Sequence, residues 1–390
     1  MQDHPMISTH SHHLPDSSFQ GFTLDSMLRQ TYVNWCGITF DRSKESRRNY
    51  LEKVRYKSYF VWLQKALKEL YGFEKVTADN WEQVSDSIQL AHQDASFHLQ
   101  ILKQKCGYES IVLDTYWHPG SDNGHPDLFK PTFRIDPFLY GYSKDAKDHD
   151  GNNPMKLYGE VPDNLTDYIA WVKEWIVKRK HQGCVAIKSA VAYDRSLTFE
   201  TITKAKAEKV FQVKDSEKSQ EDIANFQDYL FHRICEMAAE LSLPLQCHTG
   251  MGQLTNTRAI ALKNLIEMHS ETKFVLFHCS FPWMGDTSGL LHAYPNVYPD
   301  LCWLPILSPS AAQSILHELI EIGTSDKVCW GCDTWTSEES YGALLAFRFV
   351  LAQVLGAKIK DGYFSLSDAE IVIDNLMIRN AAGLYGLKQG

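Results

Sequence analysis

MISTHSHH, residues 6–13, is the stretch whose reading decides the fold and its chemistry. A short apolar run ends in His-Ser-His, and side chains two apart on a strand share one face, so His10 and His12 point together. Two imidazoles side by side at a strand end are a natural pair of metal ligands. The competing reading is two solvated histidines near a terminus. What recurs farther along the chain decides between them.

After the first strand, residues 24–105 read as mostly helical. YLEKVRYKSYFVWLQKALKELYGF (50–73) and WEQVSDSIQLAHQDASFHLQILKQK (81–105) carry apolar residues at three-to-four spacing. A crossover this long exceeds what one strand-to-strand link needs, which predicts a helical insertion beside a barrel mouth. Further strands follow at 110–117 (SIVLDTYW), 131–142, 184–193 (CVAIKSAVAY), 243–250 (LPLQCHTG), 273–280 (KFVLFHCS), 296–303 and 327–335 (KVCWGCDTW). The polar segment 143–153 reads as an exposed loop, and helices at 341–355 and 367–385 finish the chain. Eight short apolar strands alternating with helices predict an α/β fold, a (β/α)8 TIM barrel over residues 1–390 as one domain, with the insertion at 24–105. An open doubly wound sheet is the competing architecture. It would gather ligands at one switch point, whereas here polar residues recur at strand after strand.

Composition narrows the function. A formal charge of -9 argues against a nucleic-acid partner. No apolar run reads as long enough to span a membrane, and the N-terminus lacks a charged-then-apolar leader pattern, so a cytoplasmic protein is expected. Nine cysteines, an odd number scattered through apolar segments, fit buried thiols in a reducing compartment. Cys247, Cys279 and Cys332 adjoin candidate ligands but face the other way on a strand, as packing residues. His4, His13, His125 and His181 read as surface residues. The expected partner is a small-molecule substrate, and a homo-oligomer is compatible with the sequence.

Most strands carry an ionisable residue toward the C-terminal end of an apolar run: His10 and His12, Lys188, His248, His278 and Asp333. In a (β/α)8 barrel those ends open onto one face, where the six would converge. Each has an alternative role. His248 and His278 could be core histidines bonded to backbone, and Asp333 could cap a helix. Lys188 interrupts the apolar run CVAIKSAVA, where an unpaired ammonium costs several kcal/mol. It must pair with a carboxylate, be chemically altered, or serve a site.

This pattern resembles the amidohydrolase superfamily, over residues 7–335. FHCSFPWMGDTSGLLHAYPNVYPDLCW (277–303) and GCDTW (331–335) are similar to the amidohydrolase-related branch that includes decarboxylases, with uronate isomerase a more distant relative. The resemblance implies that His10, His12 and Asp333 bind a first divalent ion, and that His248 and His278 contact a second ion or the substrate. Lys188 occupies the position at which binuclear members carry a carboxylated, bridging lysine. The chain departs from the pattern in the stretch 24–105, which reshapes one wall of the site.

The expected cofactor is therefore one or two divalent ions, zinc first, acidifying a water and polarising a carbonyl. Asp333 would serve as ligand and proton acceptor, with His278 as a second electrophile, in hydrolysis of an amide, ester or lactone. Arg195 is a candidate carboxylate clamp, its alternative being a surface salt bridge with Asp194 or Glu200. Trp117, His118, Arg134, Trp303 and Trp335 are candidate pocket walls. The rival functions are a metal-dependent decarboxylase or uronate-isomerase-like enzyme on the same barrel, and a non-catalytic barrel.

Overall fold

Seven short segments rich in Val, Ile, Leu and Phe form the centre of the molecule, in a computed structural model that describes residues 4–388. They are β1 (Met6–Ser11), β2 (Tyr108–Leu113), β3 (Phe129–Arg134), β4 (Ala186–Ser189), β5 (Leu245–His248), β6 (Phe274–Phe277) and β7 (Val297–Asp300). All pair in parallel, in sequence order, and are buried along almost their whole length, as strands covered on both faces must be.

The eighth stave, 327–335, is not a regular strand. One parallel bridge, Asp300 to Cys329, joins it to β7. Its backbone nevertheless bonds on both sides. Cys329 N–H donates to the Pro299 carbonyl at 3.0 Å and Trp303 N–H to Gly331 at 3.2 Å. On the other edge Thr9 N–H donates to Trp330 at 3.2 Å, and Asp333 N–H donates to His10 at 2.9 Å. The ring therefore closes between β7 and β1, which makes it a (β/α)8 barrel and removes the open-sheet alternative.

Regular pairing fails here for two local reasons. Asp333 has φ +57°, and Gly331 passes so close to β1 that a Cβ would lie 2.5 Å from the His10 nitrogen. Gly331→Ala is therefore expected to cost about 2 kcal/mol or more and to displace His10, read as a lower urea midpoint.

Observed strands stop earlier than the apolar runs suggest. β3 ends at Arg134 and a 3-10 turn, Asp136–Tyr140, replaces the expected strand end. Asp136 fixes this corner by accepting hydrogen bonds from Ser189 Oγ (2.8 Å) and Ala190 N–H (2.7 Å) at the end of β4. In register, Lys188 lies beside Arg134 on one side and Gln246 on the other, so all three share the interior face. Below them Ile7, Val112, Ala186, Val275 and Phe277 pack against Ile378, Ala381 and Tyr385 of the C-terminal segment, which plugs the barrel.

Between β1 and β2 lie helices Leu24–Arg29, Lys44–Val54, Ser58–Tyr71 and Trp81–Ala91, around a core that includes Phe22, Met27, Tyr50, Leu63 and Trp81. The 3-10 turn Tyr32–Cys36 leads from them to the barrel mouth. Helix Ser337–Lys360 is long and apolar enough to cross a membrane by length and composition; 56% of its apolar window is buried within the fold. His13, expected at the surface, is fully buried: the chain turns inward after β1, and His13 Nε2 meets His98 Nδ1 at 2.9 Å beside Phe19.

Candidate active site

The C-terminal ends of the strands bring all six candidate residues to one cavity of about 170 Å³, lined by His10, His12, Lys188, His248, His278 and Asp333. Arg134, Tyr116, His149, Asp150 and Tyr193 share its walls, with Tyr32, Trp35 and Trp335.

His12 Nδ1 lies 2.8 Å from the Asp114 carbonyl, which can only accept, so this nitrogen carries the proton. The bare Nε2 then faces Asp333 Oδ1 at 3.2 Å, and His10 Nε2 stands 3.6 Å from the same oxygen. Two electron-pair donors facing each other at that distance need a cation between them, a proton or a metal ion. His10, His12 and Asp333 are buried, and their ligand atoms lie within 4.8 Å of one another. Buried Asp114 Oδ1 and His10 Nδ1 add two polar atoms that have no hydrogen-bond partner among the described residues. The donor set, two imidazoles and a carboxylate, fits zinc or a similar divalent ion, with the carbonyl behind His12 fixing its tautomer.

A second facing pair lies alongside. His278 Nδ1–H donates to the Cys302 carbonyl (2.9 Å) and His248 Nε2–H to the Met251 carbonyl. His278 Nε2 and His248 Nδ1 are left 3.0 Å apart with room for one proton between them. His278, Cys302 and Asp333 form a further compact group, although burial drives the Cys302 thiol well above its usual range.

Electrostatics follow from burial and neighbours. Burial, then Lys188, push His10 well below an ordinary histidine. Burial alone would raise the Asp333 carboxyl, but His12, His10 and His278 hold it well below the carboxylate range. Burial and Arg134 lower Lys188, against the pull of Asp114 and Asp333. The buried Arg134 guanidinium reaches Asp114 at 2.5 Å, Asp150 at 3.3 Å and Asp136 at 3.5 Å. At the mouth Glu339 accepts Tyr32 N–H (2.6 Å), and Trp335 stacks on His12 at 5.2 Å. His278, Trp303 and Asp333 all hold positive φ (64°, 64° and 57°), backbone strain concentrated where the strands end.

Four candidates lie elsewhere, and of these His118 is exposed, outside the cavity lining. Arg195 does not line the cavity: its guanidinium donates to Asp228 (2.6 Å) and Gln227 (3.0 Å), neither of them the partners expected. Trp117 is half-exposed outside the lining, edge-on to Tyr116, and Trp303 sits behind His278 at 5.2 Å between ring centres. Asp114 was missed although SIVLD carries the same signal as the other strands, an acid closing an apolar run. His149 and Asp150 lie in a polar loop, and Tyr32 and Trp35 in the stretch 24–105, where no periodicity distinguishes wall residues.

Comparison with known proteins bears on the fold and the family. Over 152 residues the chain is 33% identical to Protein fluG of Emericella nidulans, covering 37% of this chain and 18% of that protein. The chain thus spans less than a fifth of its curated relative. The uronate isomerase of Thermotoga maritima superposes with a TM-score of 0.80 at 16% identity, over 99% of this chain and 95% of that one. Glucuronate isomerase of Caulobacter crescentus gives 0.76 at 16% identity, over 100% and 92%. These two likenesses establish the fold. The amidohydrolase family model matches residues 114–387, from the acid behind His12 to the C-terminal plug, and with that span and this barrel the chain belongs to the amidohydrolase family.

Proposed function

We propose that the protein is a metal-dependent hydrolase that cleaves an amide, ester or lactone of a small, carboxylate-bearing substrate, with one divalent ion, zinc first, held by His10, His12 and Asp333. The observation that carries this reading is the 3.2 Å approach of the bare His12 Nε2 to Asp333 Oδ1, which a cation must bridge. A divalent ion bound there supplies Lewis acidity to a carbonyl and acidifies a water. Asp333 takes the proton of the attacking water and returns it to the leaving group. His278, its Nε2 3.0 Å from His248 Nδ1, would face the oxygen on which charge develops and donate to it when that pair takes up a proton. Asp114 orients His12 from behind, and Tyr32, Trp35 and Trp335 narrow the entrance to water.

A second reading, decarboxylation or uronate-isomerase-like proton transfer, is favoured by the same His248–His278 pair, which can deliver a proton to carbon as readily as to oxygen. Elemental analysis comes first. One divalent ion per chain is expected, lost in His12→Asn, and a protein that holds no ion and takes up no added zinc sinks the proposal. Loaded protein is then offered lactones, amides and uronates. Ring opening or amide cleavage supports the hydrolase, and release of carbon dioxide or aldose–ketose exchange replaces it with the second reading.

A further inference from the structure

Lys188 is the cationic wall of the cavity that has no partner of its own. It is 2% exposed and faces the interior between Arg134 on β3 and Gln246 on β5. Among the described residues its Nζ makes no hydrogen bond or ion pair. It rests on the Phe277 ring, 3.9 Å from the centroid. Neighbouring carboxylates act on it across space but are engaged elsewhere, Asp333 with His10 and His12 and Asp114 with Arg134. A buried ammonium without a counter-charge is costly, and Lys188 lines the cavity in which an anionic group could supply one.

We propose that Lys188 stays an unmodified amine and anchors the carboxylate of the substrate, so that it fixes specificity for anionic substrates without bridging metal ions. This rests on the metal-dependent reading above. One observation separates it from a carboxylated, bridging lysine. The face of an aromatic ring attracts a cation and repels an anion, so the Phe277 contact suits an ammonium and opposes a carbamate. The substrate would therefore lie with its carboxylate on the cavity side of Lys188, away from the Phe277 ring, and its reacting carbonyl toward Asp333.

Acetate binding to the zinc-loaded protein, followed by calorimetry, tests this alongside zinc content and the carbon-13 spectrum in labelled bicarbonate. Expected are measurable acetate binding, affinity lower by about tenfold or more in Lys188→Met and Lys188→Gln, and unchanged zinc per chain in both. The absence of acetate binding, equal affinity in folded Lys188→Met, a zinc content that falls with the substitution, or a Lys188-dependent carbamate signal would each overturn it. Zinc content of the unsubstituted protein is read separately. A failure of the hydrolase reading (no ion at all) is thereby distinguished from a failure of the anchor (ion present, acetate indifferent to Lys188).

Discussion

Asp333→Asn is expected to abolish turnover, by about 10³-fold or more in kcat, while the barrel stays folded. Asp333 is a ligand to the proposed ion and the proposed acceptor of the water's proton, and a carboxamide replaces it in shape but in neither role. Its backbone contribution is untouched, since Asp333 N–H still donates to the His10 carbonyl at 2.9 Å and closes the ring. Metal-free protein should even gain from the substitution. At present Asp333 Oδ1 and the bare Nε2 of His12 confront each other at 3.2 Å, and an asparagine can turn its N–H toward that lone pair. The variant is therefore expected to melt at or above the temperature of metal-free protein, to bind zinc at least about tenfold more weakly, and to show no activity at saturating zinc. Retained turnover at saturating zinc would remove Asp333 as the base. A collapse in melting temperature would mean that the carboxylate holds the barrel rather than the chemistry.

The site was legible where chemistry interrupts hydrophobicity. His10, Lys188, His248 and His278 each break or end a buried run, and a parallel barrel has only one place to gather such residues, so sequence order became spatial convergence. Strand ends were less legible, because they are set by what the loop meets after the strand. Asp136 terminates β3 by bonding to Ser189 and Ala190, which lie some fifty residues later in the chain. The eighth stave was visible as an apolar run but not as an irregular one. Its close passage at Gly331 depends on the position of β1 at the far end of the chain. Arg195 misled for the same reason. A charged residue just past a strand looks like a clamp until helix Gln220–Glu240 is known to bring Asp228 within 2.6 Å. His13 shows the limit in the other direction, since adjacency to His12 said nothing of the buried histidine and phenylalanine rings that receive it.

Arg134→Met is expected to weaken zinc binding by about 10- to 100-fold and to destabilise the protein by about 3–5 kcal/mol, although Arg134 would touch no metal ion. The side chain is 3% exposed and stands among three carboxylates, Asp114, Asp136 and Asp150. Methionine matches its length and apolar stem but leaves the buried carboxylates of Asp114 and Asp136 without that counter-ion. The consequence for His12 is specific. Arg134 donates twice to Asp114 Oδ2, from Nε at 3.2 Å and Nη2 at 2.5 Å, and the Asp114 carbonyl in turn holds His12 Nδ1. Loosening Asp114 frees the imidazole to rotate, and ligand orientation is lost before the fold is. The pH dependence has a definite sign. Burial would raise Asp114, but Arg134 and His12 hold it below the ordinary value, so its contribution to stability is present above the unfolded carboxyl pKa and lost as pH falls through the lower folded one. Without the guanidinium, burial prevails and the folded pKa rises, so the variant is penalised at neutral pH and relieved as the acid protonates. The stability gap between the two proteins should therefore narrow from pH 7 toward pH 4, as read by urea unfolding, and Asp114→Asn added to Arg134→Met should recover part of the loss at pH 7. A gap independent of pH, with zinc affinity unchanged, would show that Arg134 only fills space. A gap that narrows with acid while zinc affinity holds would confine its role to charge balance and leave the orientation of His12 to the Asp114 carbonyl alone.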